Sequence, residues 1–216
     1  EQIIEKDLEL RNRKVELSEA FPAYKRQKSY LLAGLLIDDV SNYALLSGVH
    51  AVKKDGVYHR GMEGFCAEQN MVQVPLAVLS EWERMECDHN EIWIVENPSI
   101  FARLCGEHPC MCMNGQPRLA GLLVLDLLAE AGTVIHYAGD LDPEGLLIAQ
   151  KLSQYYKGAF YYWHMTEEDY HMCRSEEALS ERRIGMLQKI TDPQLLPVAR
   201  AIAEYGMAGY QEKIDY

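Results

Sequence analysis

Two carboxylates one residue apart, Asp140 and Asp142, are the side chains in this sequence best placed to do chemistry. They follow the apolar run 133–138, which predicts a buried strand, and an apolar helical stretch begins directly after them. Asp142 holds the position of an N-cap, and Pro143 holds the first position of the predicted helix. Both acids are therefore expected at the carboxyl end of a strand, where open α/β sheets bind their ligands.

A third carboxylate, Glu96, follows an earlier apolar strand predicted over residues 91–95. A polar residue and a proline then open a short helix, and the segment 114–117 (Asn-Gly-Gln-Pro) repeats this arrangement after the next strand. Parallel strands end at the same edge of a sheet. We therefore expect Glu96 to converge with the aspartate pair, with the backbone of Gly115 beside them.

Three carboxylates crowded at one edge repel each other, so that one takes up a proton unless a cation intervenes. Hard oxygen ligands of this kind suit Mg²⁺ or Mn²⁺, which bind phosphate as well. The chemistry predicted for the edge is phosphoryl transfer or phosphodiester cleavage, in which a metal neutralises substrate charge and positions water. The alternative without chemistry is that Glu96 and Asp142 only cap helices.

Four polar side chains near the same edge are candidate substrate-binding residues: Asn97, Gln116, Arg118 and Arg103. Asn97 could hydrogen-bond a phosphate, although helix capping explains it equally well. Gln116 could contact a scissile phosphate. The two arginines are the nearest basic candidates for contacts with DNA phosphates, and a solvated helix surface is the alternative for each.

The elements that must position these residues form an α/β pattern over residues 89–216. Short apolar strands alternate there with helices, which predicts a mainly parallel four-stranded sheet flanked by helices and followed by C-terminal helices. A charged helix predicted over 175–190 carries Arg182 and Arg183. These two arginines could face DNA, but pairing with the many local acids is the favoured interpretation.

Residues 1–88 are predicted to form a mainly helical N-terminal segment. It includes a charge-dense helix over 1–20 and a short helix over 42–46. No residue pattern in this segment points to chemistry.

The net charge of −12 argues against a free-standing, non-specific nucleic-acid binder, because phosphate neutralisation dominates such binding. It allows a nuclease that receives its substrate from a basic partner or through a divalent metal. The six cysteines form no CxxC pair, and no apolar run has membrane-spanning length. We therefore expect a reduced cytoplasmic protein without a membrane partner.

The acidic segments carry a resemblance to known proteins. Glu96 at one strand end, and GDLDPEG at a later one, resemble the Toprim domain of topoisomerases, primases and some nucleases. Among these, the A subunit of archaeal type IIB topoisomerase and its meiotic relatives are the most similar. More narrowly, the chain resembles the Toprim-like C-terminal part of the nuclease subunit of the type II Wadjet plasmid-defence system. The segments that resemble it are ENPSIF (96–101), NGQPRLAGLLVLDLL (114–128), GDLDPEGLLIA (139–149) and AGYQEKI (208–214).

This resemblance covers about residues 70–216 and implies a Toprim-like, Rossmann-like fold. It implies that Glu96, Asp140 and Asp142 bind Mg²⁺ or Mn²⁺, with Glu144 as an additional candidate ligand. It also implies a DNA endonuclease that works with an SMC-like ATPase and accessory subunits, and it leaves a homodimer open. No tyrosine matches the topoisomerase nucleophile, which favours hydrolysis over strand passage.

Two other classes stay open at this point. An Asp-x-Asp after a strand also marks HAD-like phosphatases, in which the first aspartate is a nucleophile. In that family the motif usually comes early in the domain, whereas here Glu96 precedes it by two strands. The other class is a non-catalytic, Toprim-like scaffold that only bridges partners.

Overall fold

The computed structural model describes residues 21–36 and 38–214. Its strands are β1 (Tyr43–Ser47), β2 (Val49–Lys53), β3 (Val72–Pro75), β4 (Trp82–Cys87), β5 (Glu91–Val95), β6 (Cys110–Cys112), β7 (Val134–Ala138), β8 (Phe160–Tyr162), β9 (Arg174–Ala178) and β10 (Met207–Gly209). Its α-helices are α1 (Pro22–Leu32), α2 (Arg60–Ala67), α3 (Leu76–Leu79), α4 (Pro98–Leu104), α5 (Leu119–Glu130), α6 (Pro143–Tyr155), α7 (Glu167–Cys173), α8 (Glu181–Met186) and α9 (Leu196–Tyr205). Short 3₁₀ turns cover Asp88–Asn90, Leu187–Lys189 and Gln211–Lys213. None of the helices in these ranges is long and apolar enough to span a bilayer.

The centre of the molecule is a six-stranded sheet in the order β3-β1-β6-β5-β7-β8. Strands β6, β5, β7 and β8 run parallel, and they are the four strands that the sequence predicts. The predicted α/β class with a mainly parallel sheet is therefore confirmed. The sheet is wider than predicted, because β1 pairs antiparallel with β6 and β3 pairs antiparallel with β1.

The two central strands, β5 and β7, both end in buried residues. In both β5 and β7 alternate residues are buried, and the last two residues of each strand are buried together. One face packs against the main core, which includes the almost wholly apolar helix α5. On the other face α4 packs over Val95 and Ala138, near the strand ends, in a smaller apolar cluster. The residues that follow these two strands therefore start from a packed part of the fold.

The prediction that residues 1–88 are mainly helical is wrong for residues 43–87. This stretch contains β1 to β4, and β2 pairs antiparallel with β4. The apolar run 43–52 suits a helix or a strand, but Gly48, with φ of 66°, turns the chain between β1 and β2. The boundary predicted at residue 88 therefore cuts through one sheet, since β1 and β3 precede it. The helix predicted over 1–20 lies outside the described residues.

The C-terminal part of the chain also differs from the prediction. Residues 175–190 do not form one helix, because β9 occupies the first part and the short α8 follows. Strand β9 pairs with β10 as a two-stranded ribbon. The ribbon then joins the acidic loop, because the backbones of Leu141 and Gly209 exchange two hydrogen bonds of 2.9 Å.

Substitution of Gly145, in the first turn of α6, tests how tightly the acidic loop is packed. A Cβ atom at this position would lie 2.1 Å from the backbone oxygen of Asp140. We expect Gly145→Ala to lower the free energy of unfolding by about 2 kcal/mol or more, because backbone must move to admit the methyl group. Urea unfolding followed by circular dichroism measures the change.

Gly185→Ala is the matched control, because Gly185 also lies in a helix and a Cβ there meets nothing within 4 Å. It should be neutral or stabilise the protein by up to about 1 kcal/mol, since alanine favours a helix over glycine. Equal effects of the two substitutions would contradict the close approach of α6 to the loop.

Candidate functional site

The loop that carries the aspartate pair is clamped by the C-terminal segment. It leaves β7 at Ala138 and is bridged to Gly209 through the backbone of Leu141. The backbone N–H of Gln211 also donates to Asp140 Oδ1 at 3.1 Å. The clamp requires a small residue at Gly209, because a Cβ there would lie 2.9 Å from the sulfur of Cys173. The position of Asp140 is thus set by residues about 70 positions further along the chain.

Glu96 reaches the same edge from the neighbouring strand. Val95 and Ala138 are partners in the parallel pairing of β5 with β7, and the backbone N–H of Glu96 donates to the oxygen of Ala138 at 3.2 Å. Asn97 is the residue that caps α4, since its Oδ1 accepts from the N–H of Ser99 at 2.7 Å. The alternative that Glu96 serves as a helix cap is therefore wrong, since Asn97 caps α4 and the carboxylate of Glu96 does not.

The electrostatic environment of Glu96 is unfavourable for a negative charge. Burial, followed by the charges of Asp140 and Asp142, raises the pKa of Glu96 to about 7, and a hydrogen bond from the backbone of Asp140 opposes the rise. The pKa of Asp140 is raised as well, chiefly by burial, while the N–H of Gln211 acts against it. The three acids therefore interact with each other at this edge, as the spacing of the motifs predicts.

Several buried polar atoms around the loop lack a hydrogen-bond partner among the described residues. They include Glu96 Oε2, the hydroxyl of Tyr137, and both amide atoms of Gln211, a residue with 0% exposure. The first two converge over Gly139, where a Cβ would lie 3.2 Å from Glu96 Oε2 and 3.0 Å from the Tyr137 hydroxyl. Buried polar groups without a partner are rare in folded proteins, so these atoms mark a place where a water molecule or an ion could bind.

Asp142 is engaged through both of its carboxylate oxygens. Its Oδ1 caps α6 by accepting from the N–H of Gly145 at 2.7 Å, so the capping interpretation holds for this residue. Its Oδ2 accepts from Arg183 Nη2 at 2.5 Å. Burial raises the pKa of Asp142, whereas the hydrogen bond from Gly145 and the charge of Arg183 lower it.

Glu144 is held by the same arginine. Arg183 Nε lies 3.1 and 2.9 Å from the two oxygens of Glu144, and Nη2 lies 2.8 Å from Oε2. Arg183 pairs with acids, as expected, but its main partners lie 39 and 41 positions earlier in the chain, and of the acids near it in sequence Glu177 lies 3.7 Å away. The guanidinium thus lies between the candidate ligands Asp142 and Glu144.

The other candidate residues are spread along the edge. Asn97 donates to Glu212 at 2.5 Å, which adds a further acid beside Asp140. Gly115 adopts a left-handed turn with φ of 85°, followed by the exposed side chain of Gln116. Arg118, also exposed, lines a cavity of about 180 Å³ beside β6. Arg103 is the exception, because it lies in the last turn of α4, away from the strand ends.

The oxygen atoms at this edge are of the type that a divalent cation binds, but they are not arranged around a common point. Carboxylate oxygens around an orphaned Glu96 oxygen are what Mg²⁺ or Mn²⁺ requires. In the conformation described for residues 21–36 and 38–214, however, no group of three His, Cys, Asp or Glu side chains is arranged to hold a metal ion. Two of the acids, Asp142 and Glu144, are instead paired with Arg183.

Sequence reasoning missed how Arg183 and Gln211 complete the site. Arg183 contacts acids 39 and 41 positions earlier in the chain, and pairing at that separation leaves no local signal. Gln211 acts through its backbone N–H, which any residue other than proline supplies. The usable signal is the C-terminal segment AGYQEKI, whose glycine marks the close approach to the acidic loop.

Comparison with known families gives one match over these elements. The family model described as "Protein of unknown function C-terminus (DUF2399)" matches residues 72–215, which is two thirds of the chain. The match includes every acid at the edge and Arg183. No curated protein matches the chain.

The raised pKa of Glu96 predicts a pH dependence of stability in the metal-free protein. Between its ordinary pKa of 4.5 and about 7, the folded state binds this proton more tightly than the unfolded state does, so stability falls as pH rises. In Glu96→Gln this loss is absent. We expect the free energy of unfolding of the variant, relative to the native protein, to increase by on the order of 2–3 kcal/mol from pH 4.5 to pH 8.

Urea unfolding in EDTA at several pH values measures this difference. Glu130→Gln, at an exposed position of α5, is the matched control and should show a difference that is independent of pH. A constant difference for Glu96→Gln as well would mean that the Glu96 carboxyl titrates normally and is well solvated.

Proposed function

The chain belongs to the DUF2399 family, and we propose that it is a divalent-metal-dependent DNA endonuclease subunit with a Toprim-like site. The observation that carries this proposal is the convergence of Glu96, Asp140 and Asp142 at the carboxyl edge of a parallel sheet, with one buried Glu96 oxygen left without a partner. Like charges are costly to bury together. A site that tolerates this cost is suited to a cation.

The residues that would hold Mg²⁺ or Mn²⁺ are Glu96, Asp140 and Asp142, with Glu144 beside them. Such a cation supplies charge neutralisation of a phosphodiester and activation of water for hydrolysis. The chain supplies the geometry: β5 and β7 fix two of the acids, and the N-terminus of α6 fixes the third. The backbone N–H of Gln211 holds the carboxylate of Asp140 in place, and the side chain of Gln211 takes no part in this contact.

Polar groups along the same edge would receive the substrate. Asn97 and Gln116 offer amide donors, the turn at Gly115 exposes backbone, and Arg118 provides a positive charge. These groups are few against a net charge of −12, so we expect weak binding of DNA by this chain alone. Partner subunits would therefore have to deliver the DNA. We propose that these partners are an SMC-like ATPase and accessory proteins of a plasmid-defence complex of the Wadjet type. That partner assignment rests on the sequence resemblance.

One observation favours a second candidate, the non-catalytic scaffold. Arg183 neutralises Asp142 and Glu144 internally, which a purely structural edge would also need. Calorimetry at millimolar Mg²⁺ separates the two functions, because a scaffold of this kind would show no binding of the ion.

Asp140→Asn tests the nuclease directly. The substitution keeps an oxygen for the N–H of Gln211 but removes the charge of a proposed ligand. We expect cleavage of supercoiled plasmid in Mn²⁺ to fall at least about 100-fold, because even indirect partners of metal ligands contribute about 10- to 100-fold. Gel assays of the full chain, with its partner subunits present, measure the rate.

The matched control is Asp88→Asn, an exposed residue that precedes β5 at the opposite end of the sheet. It should cleave like the native protein. Unchanged cleavage by Asp140→Asn would refute the proposed site, whereas equal losses in both variants would point to a general effect of charge.

A further inference from the structure

Arg183 lies between two of the acids that we propose as metal ligands. Its guanidinium makes three contacts with Glu144 and a fourth with Asp142, and it approaches Glu177 to 3.7 Å. Bidentate pairing of this kind is stronger and more specific than a single ion pair. The arginine is only 27% exposed, so solvent weakens the pairing less than it would at the surface.

The contact to Asp142 opposes the binding of a cation to that residue. Asp142 Oδ1 is held by the N–H of Gly145 at the start of α6, and Oδ2 faces Arg183. Arg183 Nη2 lies 2.5 Å from Oδ2. A divalent ion bound to Oδ2 would be repelled by the guanidinium at the same oxygen, because both are positively charged. Meanwhile Glu96 Oε2, on the other side of the loop, stays unpartnered and buried.

The helix that carries Arg183 lies at the surface of the fold. None of the six residues of α8 is fully buried, and its N-cap, Ser180, accepts from the N–H of Arg183 at a long 3.4 Å. Ile184 packs partly against the core, and the flanking Leu179 and Leu187 are buried, so the helix itself is held in place. The guanidinium can leave by rotation of its own side chain, which is a fast and local motion.

We propose that Arg183 is a built-in counter-ion that closes the acidic site. A divalent cation must displace Arg183 before Asp142 can bind the cation. In the closed state the guanidinium stabilises the metal-free fold by neutralising Asp142 and Glu144. In the open state the cation takes over that charge, and the side chain of Arg183 turns away from the acids. This inference rests on the proposed metal site and adds a competitor that sets how readily the site is filled.

The experiment compares Arg183→Gln with Arg182→Gln, its exposed neighbour on the same helix. Titration of the full metal-free chain with Mn²⁺ by calorimetry gives the Kd. We expect a Kd about tenfold lower for Arg183→Gln than for the native protein, which corresponds to about 1.4 kcal/mol of competition removed. Arg182→Gln should bind as the native protein does.

Thermal unfolding supplies a second measurement that does not depend on cleavage. Without metal, Arg183→Gln should melt below Arg182→Gln, because its carboxylates lose their counter-ion. Saturating Mn²⁺ should raise its melting temperature more than that of the native chain. If Arg183→Gln fails to fold, Arg183→Lys replaces it; a lysine keeps the charge but loses the fork, so an intermediate Kd is expected.

The outcomes separate this inference from the proposed function. Equal or weaker Mn²⁺ binding by the variants, with clear binding by the native protein, would overturn the displacement of Arg183 and leave the metal site standing. No Mn²⁺ binding by the native protein or by a folded variant would refute the metal site itself. Tighter binding in Arg183→Gln alone supports both.

Discussion

The arrangement of the acidic site depends on the electrostatic cost of holding three like charges together at the end of a parallel sheet. Glu96, Asp140 and Asp142 are placed there by β5, β7 and the start of α6, and burial raises the pKa of each. The fold compensates with backbone donors from Gly145 and Gln211 and with one guanidinium. The compensation is incomplete, because Glu96 Oε2 keeps no partner in the described part of the chain. The remaining cost is the physical basis for expecting a cation.

Small residues make this arrangement possible, since the acids can approach only where side chains are absent. Gly139 leaves room for Glu96 and the Tyr137 hydroxyl, Gly145 lets α6 begin against the Asp140 backbone, and Gly209 lets the C-terminal ribbon reach the loop. The site is therefore assembled from both ends of the α/β domain. Loss of the C-terminal clamp would release Asp140 even with the sheet intact, because its contact with Gln211 depends on that segment.

The parallel part of the fold could be predicted because its strands are short apolar runs that alternate with helices and are bounded by proline and glycine. Strands β1 and β2 could not, since the run around Gly48 fits a helix or a strand and only tertiary pairing, of β1 with β3 and β6 and of β2 with β4, decides between them. The site divides in the same way. Local spacing placed Glu96 beside the aspartate pair, whereas Arg183 depends on a tertiary contact across 41 residues.

In Asp142 one carboxylate can combine the observed capping role with the ligand role that we propose. Capping fixes the side chain through Oδ1 and directs Oδ2 to the open side of the loop, where Arg183 now lies. An unfixed aspartate would lose conformational entropy on binding a cation, and the cap removes that cost in advance. Since the cap keeps Asp142 in place whichever cation it faces, the exchange that we propose requires movement of the Arg183 side chain and leaves the sheet unchanged.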